Sequence, residues 1–164
     1  MSKVIKYLII ITICMMAVIM FIWGQSLVEF EASVRESQFL LPLIRPFYEA
    51  IFGVGSLDGY TWRKLAHGIE FFVLGVLSGL LAVLVAKFSK KIKFGLKSVC
   101  VALLASEVLC FMVAVIDELL QTTNNRHPQV MDVGIDMTGA TYGIALVVLI
   151  MLLIVCISKL AKRK

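Results

Sequence analysis

Residues 65–86 read LAHGIEFFVLGVLSGLLAVLVA, an apolar run whose only ionisable residues are a histidine and a glutamate close to its start. About 20 such residues are enough to cross the hydrocarbon core of a bilayer as an α-helix. Lipid cannot hydrogen-bond an open backbone, so a run of this kind has to be helical. It is continuous rather than alternating, which excludes a strand of a membrane β-barrel. The stretch therefore predicts a membrane-spanning helix with polar residues in its first turns.

Three more runs of similar length accompany it, at Val4–Trp23, Ser98–Leu120 and Val133–Cys156. The whole chain has 164 residues, of which 60% are hydrophobic, and a mean hydropathy of +0.97. Soluble domains are nearer to half apolar. We predict an all-α fold: a four-transmembrane-helix bundle that forms one integral membrane domain over residues 1–164, with spans at about 4–23, 65–86, 98–120 and 133–156.

The basic residues lie mostly on one side of the predicted spans. Eleven of the sixteen flank the same ends, with no acidic residue among them: Lys3, Lys6, Lys87, Lys90, Lys91, Lys93, Lys97, Lys159, Lys162, Arg163 and Lys164. The positive-inside rule predicts that this side, and with it both termini, is cytoplasmic. Short basic flanks beside a membrane favour contact with anionic lipid head groups. They explain the net charge of +5 better than nucleic-acid binding does.

The long segment between the first two spans contains apolar residues at helical spacing. These are Phe39, Leu40, Leu43, Ile44, Phe47 and Ile51, with charged residues between them. This pattern is typical of a short helix lying on the outer membrane surface. Pro42 and Pro46 argue against a long regular helix, because an interior proline removes a hydrogen bond and clashes with the preceding turn. A short extracellular interfacial helix and an irregular lid over the bundle are both consistent with the sequence.

Polar residues gather at the ends of the spans opposite the lysines. His67 and Glu70 open the second span, Asp117, Glu118 and Gln121 close the third, and Asp132 and Asp136 open the fourth. Because consecutive spans run in opposite directions, all three sets are expected at the outer end. Ionisable side chains within a bilayer are costly and usually mark a functional site. We therefore expect these residues to meet in one polar pocket.

Other features inside the spans have packing interpretations. Gly75 and Gly79 are four residues apart, as are Gly139 and Gly143, a spacing that lets helix backbones approach closely. Glu107 lies about 16 Å deeper than the acidic pair at the end of its span, at 1.5 Å per residue. It could be a proton relay or polar floor, or it could form an interhelical hydrogen bond. The four cysteines lie within the apolar runs and show no metal-ligand spacing.

The spacing of the polar residues also carries a family resemblance. One motif is Arg63-Lys64-x-Ala66-His67-x-x-Glu70-Phe71-x-x-Leu74-Gly75, and the other combines Asp117-Glu118-x-x-Gln121, Arg126, Asp132-x-x-x-Asp136 and Gly139-x-x-x-Gly143. Together they resemble the two signatures of the VanZ-like membrane proteins, over nearly the whole chain. The resemblance implies a protein of the bacterial cytoplasmic membrane. The founding relative is associated with resistance to teicoplanin, a glycopeptide that binds cell-wall precursors.

One hypothesis is an enzyme that acts on an envelope lipid or lipid-linked wall precursor at the outer leaflet. His67 would be the general acid or base, because its unperturbed pKa is near neutrality. Glu70 or Asp132 would orient it, and the planar guanidinium of Arg126 suits a phosphate or carboxylate. The candidate catalytic residues are His67, Glu70, Asp117, Glu118 and Asp132. The candidate substrate-binding residues are Arg126, Gln121, Asp136, Lys64 and Arg63.

Three alternatives stay open at this point. Carboxylates grouped around one histidine could hold a divalent metal. The same residues could bind a lipid or an ion, or transport it, without catalysis. They could also form a network of ion pairs that only stabilises the bundle, because structural networks of this kind occur.

Overall fold

The structure, a computed structural model, describes residues 3–27, 41–88, 96–124 and 129–161. Within these ranges it contains five α-helices, one short 3₁₀ turn at Thr122–Asn124 and no strand. The helices are α1 (Lys3–Ser26), α2 (Leu41–Phe52), α3 (Gly59–Phe88), α4 (Leu96–Gln121) and α5 (Val130–Ala161). All except α2 are long and apolar enough to cross a membrane. The predicted all-α architecture with four spanning helices is confirmed.

The spanning helices are longer than the apolar runs that predicted them. Helix α1 continues three residues past Trp23 to Ser26, and α5 begins at Val130 rather than Val133. A helical backbone satisfies its own hydrogen bonds, so it does not need to stop where the apolar side chains do. At the start of α3, an Asp58 carboxylate oxygen accepts a hydrogen bond of 2.7 Å from the Thr61 amide. Hydrogen bonds from the side chain and the backbone amide of Thr61 lower the pKa of Asp58 below its ordinary value of 3.8, and the bond from the amide is an N-cap.

Helices α3 and α5 run parallel and form the closest contact of the bundle. A Cβ atom added at Gly75 would overlap the carbonyl of Ala140, and one added at Gly143 would overlap the carbonyl of Phe72. At Gly79 the same atom would make only an ordinary contact of 3.5 Å. The expected close packing of spans two and four is confirmed, although not every glycine of the two pairs is required for it.

Helices α1 and α4 complete the core against this pair. The buried cluster contains Met15, Ile19, Ile22, Phe71, Leu74, Cys110, Val113, Ala114 and Ala140. Polar contacts tie the helices together where side chains can reach a backbone: Trp23 Nε1 donates to the Val113 carbonyl at 3.3 Å. The Thr141 hydroxyl donates to Glu107 at 3.4 Å, which joins α5 to α4. That contact matches the interhelical hydrogen bond that was one interpretation of Glu107.

Helix α2 decides between the two interpretations of the segment that follows α1. Its 12 residues are helical, with Pro46 inside the helix, and none of them is buried. Leu43, Phe47 and Ile51 project as an exposed apolar stripe, each at least 67% exposed. The helix interpretation is therefore correct for these residues. Phe39 and Leu40, which the amphipathic pattern also included, lie outside the described residues.

Candidate functional site

One end of the bundle collects the polar side chains. Helices α1 and α4 finish there and α3 and α5 start there, so we call it the polar end. A small cavity of about 40 Å³ opens among these termini. It is lined by Arg63, Lys64, His67, Glu118, Gln121, Asp132, Ile135 and Asp136. A space of this size holds a few water molecules or one ion, since a single water needs roughly 10–15 Å³ of such volume.

Asp117 is the most deeply buried carboxyl group beside the cavity, with no exposed surface. Its two oxygens are held separately: the Ser26 hydroxyl donates to Oδ1 at 2.7 Å, and Gln121 Nε2 donates to Oδ2 at 3.1 Å. Buried carboxylates require such donors, because an unsatisfied charge in a low-dielectric environment is strongly unfavourable. Asp117 is thus fixed in position by helices α1 and α4.

Glu118 and Gln121 extend the same hydrogen-bonded network. Gln121 Nε2 also donates to Glu118 Oε1 at 2.9 Å, and the Gln129 amide donates to Glu118 Oε2 at 2.9 Å. On the α3 side, Arg63 Nη2 donates to the side-chain oxygen Oε1 of Gln121 at 3.3 Å. The amide of Gln121 therefore connects a basic residue of α3 to both acidic residues of α4.

Lys64 and Asp132 form an ion pair across the mouth of the cavity. Lys64 Nζ lies 2.6 Å from Asp132 Oδ1, and both side chains are about one-quarter exposed. This pair joins α3 to α5 one turn above the buried part of the site. Because it is partly exposed, it is accessible to a charged ligand.

His67 stands between two carboxyl groups. Its Nδ1 atom is 3.7 Å from Glu70 Oε2 and 3.9 Å from Asp117 Oδ2. Both distances exceed a hydrogen bond, so the ring is near each group without being tightly held by either. Glu70 Oε2 is buried and has no hydrogen-bond partner among the described residues. Either carboxylate could stabilise an imidazolium form of His67.

Asp136 contributes the second deeply buried carboxyl group. Its exposed fraction is 2%, and it lines the cavity from the α5 side. It makes no hydrogen bond or ion pair with any residue that the structure describes. Ligand atoms of His67, Asp117 and Asp136 all lie within 4.8 Å of one another, a grouping that could hold a metal ion.

A wider groove lies on the bundle surface between α3 and α5, next to the cavity. It encloses about 510 Å³ and is lined by Tyr48, Thr61, Lys64, Leu65, Gly68, Ile69, Phe72, Ile135, Thr138, Gly139 and Tyr142. Lys64 and Ile135 line both spaces. Among the residues that line the groove only Lys64 is charged, so the groove is mainly apolar, and the part beside Lys64 adjoins the charged cavity.

The four spans and this arrangement of polar residues fall within one family match, to the VanZ/LLP1 model, over residues 8–153. The chain belongs to the VanZ/LLP1 family. Comparison with curated proteins and with solved structures gives no match. The family resemblance inferred from the two motifs is confirmed, and this member of the VanZ/LLP1 family is a multi-pass membrane protein.

The structure brings together nine of the ten residues that the VanZ-like motifs nominated. The nine are Arg63, Lys64, His67, Glu70, Asp117, Glu118, Gln121, Asp132 and Asp136. The tenth, Arg126, lies outside the described residues. Sequence reasoning missed Ser26, which follows the apolar part of α1, and the backbone amide of Gln129. A polar residue placed directly after a span, on the same side as the acidic sets, was the available signal for Ser26.

Proposed function

We propose that this VanZ/LLP1 protein binds the polar head of a cell-envelope lipid at the outer leaflet of the bacterial cytoplasmic membrane. The observation that carries the proposal is that the charged cavity and the groove between α3 and α5 are neighbours, with Lys64 and Ile135 lining both. A lipid has a polar head joined to long apolar chains, and the two adjoining spaces have the same two characters. The positive-inside rule supports the outer location, because the lysine-rich ends are opposite the polar end.

The sizes of the two spaces support a division of the proposed lipid between them. The groove of about 510 Å³ lies within the roughly 300–1,000 Å³ of ordinary small-molecule sites and would hold part of an acyl or isoprenoid chain. The cavity of about 40 Å³ is too small for a whole head group. The head group would therefore lie at the cavity mouth, where Lys64 and Arg63 can contact a phosphate.

Lipid-linked wall precursors carry phosphate next to an isoprenoid chain, and they belong to the same chemical class. This connects the site to the teicoplanin phenotype of the founding relative. Six of the nine site residues would then divide into two roles. Asp117, Glu118 and Gln121 are satisfied by neighbouring donors and would hold the site, whereas His67, Glu70 and Lys64 would face the ligand.

The binding test uses an anionic phospholipid of defined structure. Purified full-length protein, incubated with short-chain phosphatidylglycerol, is examined by native mass spectrometry. Replacing Lys64 by methionine should reduce the retained lipid at least fivefold, equivalent to about 1 kcal/mol. Lys87→Met makes the same chemical change at the opposite, lysine-rich end of the same helix, and it should reduce retention less than Lys64→Met does. Equal loss in both variants would contradict a head-group site at the cavity.

A second candidate function is chemistry on the bound head group. It is favoured by the position of His67 between Glu70 and Asp117, an arrangement suited to general acid–base catalysis. The test is the lipid and wall-precursor content of bacteria that produce the wild-type chain or the His67→Ala variant. Catalysis requires precursors that differ between the two at equal membrane abundance. Unchanged precursors together with a teicoplanin phenotype lost in the variant would favour binding alone.

The same variant tests whether the network is purely structural. If His67→Ala removes the folded protein from the membrane, the polar residues serve the bundle. Normal abundance with loss of the phenotype would support a ligand site.

A further inference from the structure

We propose that His67, Asp117 and Asp136 bind one divalent first-row transition-metal ion, such as Mn²⁺ or Zn²⁺, at the inner end of the cavity. The three ligands come from three different helices, α3, α4 and α5. Their candidate ligand atoms lie within 4.8 Å of one another. This inference is independent of the proposed lipid, because the metal site is complete without it.

The distances fit a metal with little rearrangement. Metal bonds to imidazole nitrogen or carboxylate oxygen are about 2.0–2.2 Å, so two ligands in a tetrahedral site lie about 3.4 Å apart. His67 Nδ1 and Asp117 Oδ2 are 3.9 Å apart. A closing movement of roughly 0.5 Å, within the range of side-chain rotation, would bring them to a shared ion.

Asp136 supplies the second observation. Only 2% of its surface is exposed, it borders the cavity, and no described residue donates a hydrogen bond to it. A buried carboxylate without a partner is strongly unfavourable in a protein interior. Lys64, a basic residue of the same cavity, is engaged with Asp132 instead. A cation coordinated by Asp136 would provide the missing compensation.

The charged residues around the cavity also favour a bound cation. Among the described residues, five carboxyl groups lie in or beside the cavity, against two basic side chains, Arg63 and Lys64; the five are Glu70, Asp117, Glu118, Asp132 and Asp136. A divalent cation would offset part of this excess of acidic groups and would offer an open coordination position to a phosphate oxygen, as sites with three protein ligands do.

The ligand types indicate which metals would bind. One imidazole and two carboxylates form a mixed nitrogen and oxygen set, which suits Mn²⁺, Fe²⁺ or Zn²⁺ better than the all-oxygen sites of Ca²⁺. The hydrogen bonds from Ser26 and Gln121 to Asp117 would orient that ligand, a role that residues around metal ligands commonly have. No cysteine lines the cavity.

The test uses chelator-washed, lipid-free, full-length protein in detergent, titrated with Mn²⁺ and followed by the electron paramagnetic resonance of the free ion. Mn²⁺ is chosen because it binds thiols weakly, so the four cysteines interfere little. We expect one equivalent to bind. Asp136→Asn and His67→Gln should each weaken binding at least about tenfold, or 1.4 kcal/mol.

The matched control is Glu107→Gln, the same carboxyl-to-amide change on α4, about 15 Å along the helix from Asp117. It should leave Mn²⁺ affinity unchanged. Thermal unfolding separates a lost ligand from a lost fold: Mn²⁺ should raise the midpoint of the wild type but not that of Asp136→Asn. Without metal, Asp136→Asn should be at least as stable as the wild type, because it replaces a buried carboxyl group for which no described residue is a hydrogen-bond donor.

If a variant fails to fold, X-ray absorption of the metal-loaded wild type still decides the question. Imidazole and oxygen scattering without sulfur supports the site. Absence of stoichiometric binding by the wild type, or equal weakening in Glu107→Gln, would overturn the inference. In either case a lipid retained by the metal-free protein would leave the proposed head-group binding standing.

Discussion

Replacing Gly143 by alanine should separate the two parallel helices of the bundle. The added Cβ would overlap the Phe72 carbonyl and lie 2.8 Å from the Val76 amide nitrogen and 3.1 Å from the Gly75 carbonyl carbon. All three are backbone atoms of α3, which cannot rotate away as a side chain could. The helices must therefore move apart by roughly 1 Å, a gap that forfeits a quarter to a half of each dispersion contact across it.

The size of the effect follows from two opposing contributions. Overpacking of this kind destabilises by about 1–3 kcal/mol, and a rigid backbone neighbour places Gly143→Ala near the upper value. Alanine regains about 1 kcal/mol of helix propensity over glycine. The net destabilisation should be roughly 2 kcal/mol, which lowers the midpoint of thermal unfolding by about 4–8 °C for a domain of this size.

Two control variants distinguish a clash with backbone atoms from the general effect of replacing glycine by alanine in a helix. Gly79→Ala introduces a Cβ in ordinary contact with Val147 at 3.5 Å, and Gly134→Ala introduces one with no neighbour within 4 Å. Both should be neutral or slightly stabilising. The assay is size-exclusion chromatography of detergent-solubilised fluorescent fusions after heating. The reasoning is refuted if Gly143→Ala melts with the wild type, or if Gly79→Ala loses as much stability.

Three further predictions concern charge, pH and the groove. Lys64→Asp and Asp132→Lys should each destabilise the protein, and the double exchange should recover about 1 kcal/mol in a double-mutant cycle of unfolding; additive losses would argue against the ion pair. Because the pKa of Asp58 is lowered in the folded state, its cap stabilises α3 above the unfolded pKa and is lost as pH falls through the folded pKa. Asp58→Asn, which also caps, should therefore lose less stability than the wild type between about pH 7 and pH 3 in thermal melts, and parallel curves would count against the cap. Thr138→Trp should fill the groove and reduce phosphatidylglycerol retention in native mass spectrometry, whereas Ala145→Trp, exposed on the same helix, should not.

The sequence could predict the spans because their signal is local. Twenty apolar residues in a row leave few structures available in lipid, and the alternating direction of consecutive spans places the three polar sets at one end. The partners within that end depend on helix rotation and on relative axial position, which no local pattern encodes. Lys64, for example, was expected to contact a substrate, and in the structure it already pairs with Asp132.

The glycine pairs also show that spacing in the sequence does not determine which residues meet in the structure. Gly75 and Gly79 are equivalent in the sequence, yet only Gly75 meets a backbone carbonyl of α5. Which of the two is needed depends on the axial offset between the helices. Ser26 was missed for a different reason: hydropathy ended the first span at Trp23, although the helix continues to a residue that bonds Asp117.

The direction of each helix explains why the carboxyl groups of the site are held so differently. Asp132 lies in the first turn of α5, where the positive end of the helix dipole favours a negative charge. Asp117 and Glu118 lie near the C-terminal end of α4, where the dipole disfavours one. They are retained there by donors from Ser26, Gln121 and the Gln129 amide. These groups donate hydrogen bonds to carboxylate oxygens of α4, and none of these bonds is to Asp136. The hydrogen bonds that make an acidic helix end tolerable therefore leave Asp136 as a buried carboxyl group on the cavity wall, which is the group that the proposed metal ion would engage.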